Sequence, residues 1–330
     1  MRILIIGAAG MVGRKLTARL VRDGTLGSHP IDALDLVDVV EPARVDAPFM
    51  IETGTIDVAD PAAAPRLIAK RPDVIFQLAA IVSGEAEKDF DKGYAINMDG
   101  LRFLLDAIRT EGVSSVADSP RPYRPRIVFT SSIAVFGAPF PATIDDEFLC
   151  APMTSYGTQK AICELLLADY TRKGFVDGIG IRLPTISVRP GKPNAAASGF
   201  FSNIIREPLA GQEAVLPVGE DVRHWHASPR SAVGFLLHAA TIDGGRVGQR
   251  RTLSMPGVSV TVGEQIEAMR RVAGESAVAL IRRQPDPFIE AIVANWPQSF
   301  EPSRAEALGF TAERDFDSII RVHLEDELGQ

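Results

Sequence analysis

The sequence predicts an α/β protein: a doubly wound parallel sheet with helices on both faces, then a smaller, mostly helical C-terminal domain. Three observations predict it. The turn Gly7-Ala-Ala-Gly10-Met-Val-Gly13 joins a wholly apolar run to a helical pattern at the start of the chain. Short apolar runs alternate with helix-period stretches over the first 180 residues, the pattern of βαβ units. After Pro184 the chain turns Gly-, Pro- and Ser-rich over residues 187–200 and then mainly helical in period. The predicted division is 1–184 and 185–330, with some return segments of the second part packing on the first.

Each element has its own warrant. Ile3–Ile6 reads as a buried strand and Met11–Arg22 as a helix. Ala33–Asp38 is the second strand and Phe49–Ile51 a short third. Asp60 is placed to cap, and Pro61 to open, a helix reaching Lys70. Val74–Ala79 is the fourth strand, and Glu85–Thr110 reads as one long helix ended near Gly112. Residues 113–125, rich in Pro, Ser and charge, read as a surface loop. Arg126–Thr130 is the fifth strand, Tyr156–Lys173 a helix stopped by Gly174, and Ile179–Leu183 the sixth strand. Further helices are predicted over Phe200–Ala210, Ser231–Thr241, Val262–Gly274, Pro287–Ala294 and Phe316–Leu328.

Composition narrows the function. The 330 residues are 46 % apolar and 23 % charged, ordinary for a globular protein. A net charge of −7 with no dense Lys/Arg stripe argues against a nucleic-acid partner. No run of apolar residues is long enough to span a membrane, and Ile3–Ile6, broken at Gly7, is too short for a signal segment. The two cysteines, Cys150 and Cys163, lack metal-like spacing, and His224 and His226 have no acidic partner pattern; no metal is expected. Reduced, unpaired thiols point to the cytoplasm.

The glycine turn carries the first chemistry. Gly7 permits a tight turn, Gly10 lets backbone approach a pyrophosphate, and Gly13 lets helix pack on strand. The N–H groups of Met11, Val12 and Gly13 then open a helix whose dipole favours phosphate. This makes 1–184 a Rossmann-type domain for a dinucleotide and 185–330 mainly the substrate-binding part. Asp38, closing the second strand, is the residue to accept from the ribose hydroxyls, with Asp35 as second choice. A carboxylate there repels a 2′-phosphate, which selects NAD over NADP.

The second chemistry is "TSYGTQK", residues 154–160. Tyr156 and Lys160 lie one helical turn apart. An ammonium beside a phenol stabilises the phenolate, which makes Tyr156 a general base for an alcohol. Ser132, just past the fifth strand, stands where parallel sheets place reactive groups and could hold the substrate oxygen; Ser131 is its alternate.

With these motifs in place the chain resembles the extended short-chain dehydrogenase/reductases, the NAD-dependent epimerase/dehydratase superfamily. Gly7, Gly10 and Gly13 resemble its cofactor turn, Asp57-Val58 the adenine-cradling pair, and Leu78-Ala79-Ala80 the segment lining the cofactor. Asn97 resembles the helix asparagine supporting the site, and Ser132, Tyr156 and Lys160 the catalytic triad. Pro184 lines the cofactor site on the same resemblance. The stretches "FQLAAIVSGEAEKDFDKGY" and "RHWHASPRSAVGFL" are similar to the D-erythronate dehydrogenases, a family that oxidises a four-carbon sugar acid at C2 with NAD. The resemblance implies a sugar-acid substrate and a homodimer. Nucleotide-sugar epimerases carry Tyr where Phe136 stands, and Asn-Pro after the sixth strand, where this chain has Leu183-Pro184-Thr185. A nucleotide-sugar 4-epimerase with tightly held NAD, or a dinucleotide sensor without catalysis, are the alternatives. A hydroxy acid needs donors for its carboxylate. The candidates are Ser83, Asn194, Arg189, Arg223 and Arg230, with His224 and His226 for hydroxyls; Arg182 reads as structural.

Overall fold

The structure, a computed structural model, describes residues 1–114, 123–191 and 198–329. In chain order its first part runs β1 (Arg2–Ile6), α1 (Met11–Asp23), a small hairpin of β2 (Thr25–Leu26) and β3 (His29–Pro30), β4 (Ala33–Asp38), β5 (Met50–Thr55), α2 (Ala63–Ile68) and β6 (Val74–Gln77). Then come α3 (Ser83–Lys88), α4 (Phe90–Gly93), a π-helical turn (Tyr94–Asp99), α5 (Gly100–Ser114), β7 (Arg126–Ser132), α6 (Ser155–Arg172) and β8 (Asp177–Leu183). The second part holds β9 (Thr185–Ile186), α7 (Gly199–Leu209), β10 (Ala214–Leu216), β11 (Arg223–Ala227), α8 (Pro229–Thr241), α9 (Gly244–Val247), β12 (Thr252–Ser254), β13 (Val258–Thr261) and α10 (Val262–Ala273). It closes with α11 (Glu275–Val278), β14 (Ile281–Arg283), α12 (Pro287–Val293), α13 (Ser303–Ala307) and α14 (Phe316–His323).

The sheet is seven-stranded, in the order β12-β8-β7-β6-β1-β4-β5, with every pairing parallel. Parallel strands buried on both faces need apolar residues at successive positions, and β1 shows why. Ile3 and Ile5 join one core with Leu16 and Leu20 of α1 and Phe235 and Leu236 of α8. Leu4 and Ile6 join the other with Leu101, Leu104 and Ile108 of α5 and Leu167 of α6. The strand order reverses between β1 and β6, and a cleft opens at that switch point beyond the strand ends. A separate core of Phe201, Ile204 and Ile205 from α7, Ile266 and Met269 from α10, and Ile319 and Ile320 from α14 fills the second part.

Several expectations are corrected. The predicted helix 85–110 is broken. Asp89 leaves helical geometry (φ −126, ψ 88), its carboxylate accepts from the Lys92 N–H, and the π turn follows before α5 begins. Helical periodicity cannot register a residue that leaves the helix to cap the next one. The helix predicted from Pro61 to Lys70 shortens to Ala63–Ile68, with Asp60 accepting from the Ala62 N–H in the turn before it. The third strand is longer, Met50–Thr55, because it pairs along the whole of β4 at the sheet edge. The seventh strand, β12, is only three residues long, too short for its apolar pattern to stand out. It returns from the second half of the chain to pair with β8, and α8 returns with it. The second part also carries small sheets, β13-β11-β9 and β10-β14, so it is less purely helical than predicted. Most of the predicted loop 113–125 lies outside the described residues.

Candidate active site

The turn after β1 is built as the sequence requires. Gly7 holds φ +96, and a Cβ on it would stand 2.6 Å from the backbone nitrogen of Ala79. A Cβ on Gly13 would stand 2.2 Å from the Gly7 carbonyl oxygen. Both contacts are with backbone, which cannot swing aside, so these positions exclude side chains. Gly10 is the N-cap of α1 and offers no side chain to the first helical N–H groups, which leaves Met11, Val12 and Gly13 to face an anion. Asp38 ends β4 beside this turn. One carboxylate oxygen accepts from the Ala9 N–H at 2.9 Å and the other from the Val39 N–H at 2.7 Å. Each oxygen keeps a further lone pair for a ribose hydroxyl. A side-chain-free cradle, open helix-terminal donors and a fixed carboxylate fit a dinucleotide with a free 2′-hydroxyl. Asp35 does not serve this site. It is buried further back on β4, paired with Arg2 at 2.8 Å and Lys70 at 2.6 Å.

Leu78 and Ala79 donate backbone N–H groups to the Ile6 carbonyl and carry β6 into the cleft. Asn97 supports the next segment. Its carboxamide oxygen accepts from the Ile81 N–H at 2.9 Å, and its amide nitrogen donates to Gln159 on α6 at 2.8 Å. Asn97 is buried and holds the chain around Ala80 and Ile81 in place. Asp57 turns back to accept from the Ala59 N–H, and Val58 packs under Gly100 of α5.

One cavity of about 410 Å³ gathers the catalytic candidates. Met11, Val12, Leu78, Ala80, Ser83, Ser132, Tyr156, Lys160 and Pro184 all line it. Thr154 caps α6 by accepting from the Gly157 N–H, which fixes Tyr156 in the first helical turn. The two strand-end serines separate. The Ser132 hydroxyl accepts from the Ala134 N–H and faces Tyr156, whereas Ser131 donates to buried Glu164 at 2.5 Å. Glu164 is also paired with Arg182, whose Nε and Nη2 reach it at 2.9 and 2.7 Å.

The electrostatics correct one expectation. Burial pushes the Tyr156 phenol up to about 12, opposed by the neighbouring Ser132 hydroxyl and by the charge of Arg189. Lys160 is not the counter-charge in this arrangement. Its ammonium donates to the Thr130 carbonyl at 2.8 Å and lies over the Tyr156 ring, 5.6 Å from the centroid, rather than at the hydroxyl. Burial brings Lys160 down to about 8.

The substrate candidates divide. Ser83 and Arg189 line the cavity. Arg223 does not: it donates to the Ser259 carbonyl at 3.0 Å and pairs with Glu264 at 3.2 Å. Arg230 does not either, being half exposed on α8 and paired with Glu325 and Asp326. Asn194 lies outside the described residues. His224 borders the cavity with both nitrogens engaged, Nδ1 on the Pro297 carbonyl and Nε2 on the Thr185 hydroxyl. His226 is buried behind it between Ser187 and Gln265. Sequence reasoning missed Ser202, Asn203 and Arg206, which line the cavity from α7. Their spacing, i, i+1 and i+4 opposite Phe201 and Ile205, is the signal that could have found them.

Fold and site together define an NAD-dependent oxidoreductase of the extended short-chain type. A family model described as the NAD dependent epimerase/dehydratase family matches residues 3–249, and the chain belongs to that family. It is 46 % identical to the D-erythronate dehydrogenase of Cupriavidus necator, covering 99 % of this chain and 98 % of that one. It is 40 % identical to the D-erythronate dehydrogenase of Haemophilus influenzae, covering 99 % of this chain and 100 % of that one. A solved structure described as a nucleoside-diphosphate-sugar epimerase from Agrobacterium tumefaciens is 65 % identical, with a TM-score of 0.96 over 100 % of this chain and 95 % of that one. Among the described residues no helix is long and apolar enough to cross a membrane.

Proposed function

We propose that this enzyme oxidises a short sugar acid, D-erythronate or a close homologue, at its C2 hydroxyl to the 2-oxo acid. The observation that carries the reading is the pair of hydroxyls, Ser132 and Tyr156, in one cavity with the glycine turn. The two dehydrogenase relatives supply the substrate class. Ser132 holds the substrate oxygen and Tyr156 takes its proton. NAD, when bound, supplies the hydride acceptor for the C2 hydrogen. The cradle of Gly7, Gly10 and Gly13, the N–H groups of Met11 and Val12, and Asp38 hold the dinucleotide. Leu78, Ala79, Ala80 and Pro184 line it, with Asp57 and Val58 at the adenine end. Lys160 lies over the Tyr156 ring, where its ammonium serves the nicotinamide ribose.

The name carried by the Agrobacterium structure favours a second reading, a nucleotide-sugar 4-epimerase. The two differ in redox balance. The test is purified enzyme with NAD or NADP and a panel of four- to six-carbon sugar acids, read as NAD(P)H absorbance. The proposal expects NADH to accumulate with D-erythronate. No reduced cofactor with any acid, but interconversion of a UDP-sugar, would establish the epimerase; activity with NADP alone would overturn the part given to Asp38.

We also propose a cytoplasmic homodimer. Phe90 on α4 and Leu165 on α6 are 58 % and 73 % exposed, apolar surface that a second copy would cover.

A further inference from the structure

The charge inside the cavity is opposite to that of the whole chain. The protein carries a net −7, yet the cavity lining holds three cations, Lys160, Arg189 and Arg206, and no carboxylate among the described residues. Arg206 is paired with Glu207 and donates to Asn203 at 2.8 Å. Lys160 has no acid partner among the described residues either, but it is buried at the Tyr156 ring with its ammonium on the Thr130 carbonyl at 2.8 Å. Arg189 is only partly buried. Its Nε donates to the Ile186 carbonyl at 3.0 Å and its Nη2 to the Ser198 hydroxyl at 2.9 Å, both neutral acceptors. No ion pair to Arg189 occurs among the described residues. Its backbone is pinned by α7 as well: its N–H donates to Ser202 and its carbonyl accepts from Arg206. It stands near enough to Tyr156 for its charge to favour the phenolate.

A partly buried guanidinium with no counter-ion among the described residues, in a cavity whose described lining holds no acid, is a receptor for an anion. In a 2-hydroxy acid the carboxylate is bonded directly to the carbon that loses hydride, so its anchor must stand beside the proton acceptor. Arg189 lines the same cavity as Ser132 and Tyr156. Arg223 and Arg230, committed to acids elsewhere, do not.

We propose that Arg189 is the specificity-determining residue of this enzyme: its guanidinium binds the substrate carboxylate and thereby turns the adjacent C2 hydroxyl toward Tyr156. This rests on the sugar-acid reading and deepens it, since it selects a 2-hydroxy acid over the neutral amide or polyol of the same carbon skeleton.

The experiment compares wild type, Arg189→Gln and Arg189→Lys on D-erythronate and on D-erythronamide, its neutral amide, with NAD. In Arg189→Gln, kcat/KM for the acid should fall about 100-fold relative to that for the amide, the scale of losing one partner of a desolvated charge pair. Arg189→Lys, which keeps charge but not the fork, should fall roughly tenfold. Added methylguanidinium should restore Arg189→Ala on the acid and do nothing for the amide. An NAD-induced rise in Tm equal to wild type shows that each variant folds and holds cofactor. Equal losses on acid and amide, or no loss on either, would overturn the assignment. Should wild type oxidise no sugar acid, the functional reading fails by itself, and oxalate binding to the NAD complex then tests the anion site. Protection by oxalate in wild type but not in Arg189→Gln would uphold that site, and equal protection in both would remove it.

Discussion

Burial makes a phenol a poorer base than one in solution, and partly buried Tyr156 is pushed up to about 12. What the site supplies against this is a hydroxyl, Ser132, and a cation, Arg189. The rate of oxidation should therefore follow the phenolate fraction. Log kcat/KM is expected to climb with pH through neutrality toward an alkaline plateau. In Arg189→Gln the climb should begin at higher pH, because removing a positive charge raises the phenol further. Measured pH profiles for the two proteins check this; superimposable rising limbs would show that Arg189 does not act on Tyr156. At the same scale, Ser131 and Ser132 show a limit of sequence. Neighbours on a strand point to opposite faces; both serines border the cavity, but the Ser131 hydroxyl is spent on Glu164 while that of Ser132 stands beside Tyr156. Which one does which depends on the register of β7 with β8, where Ser131 stands opposite Arg182.

At the scale of elements, β7, α6 and β8 are tied beneath the site by Ser131, Glu164 and Arg182. Glu164 and Arg182 are largely buried, so removing one partner strands the other's charge. Glu164→Gln is expected to cost about 3–5 kcal/mol in denaturant unfolding, and Glu164→Gln with Arg182→Gln less than the sum of the two single losses. Strict additivity would show that the pair is not coupled. The elements that place the glycine turn, Ser132 and Tyr156 were readable because they rest on local signals: a buried strand, a glycine spacing, a Thr cap. The break at Asp89 and the π turn carrying Asn97 were not, because periodicity continues across both. Strand β12 escaped because its place depends on β8, about 70 residues earlier in the chain, and not on its own three residues. Arg223 and Arg230 read as site residues because loop arginines near a cleft look alike in sequence. Only the fold shows which already face an acid.

At the scale of the whole molecule, the site lies between two cores, the sheet with its helices and the cluster around α7, α10 and α14. The seam between them carries His224 and His226, buried against Phe201. Burial holds His224 down at about 4 and His226 well below its ordinary value of 6.5. Unfolded histidine takes up a proton as pH falls through about 6.5, while these two stay neutral in the native state. The unfolded chain then binds more protons than the native one, so stability present above that pH is lost as pH falls through the window toward 4. Urea unfolding at about pH 6 and about pH 5 should differ by roughly 1–3 kcal/mol, with the lower pH less stable. Equal stability at the two would mean that the histidines are accessible to protons in the folded protein.

The claim on which the rest stands is that Tyr156 accepts the hydroxyl proton as the substrate carbon is oxidised. Single-turnover NADH formation from D-erythronate in Tyr156→Phe, against wild type, tests it most directly. The ring keeps its packing and loses only the oxygen, so NAD binding should persist while the rate of NADH formation falls about 100- to 10,000-fold. A Tyr156→Phe enzyme that forms NADH at the wild-type rate would contradict the account.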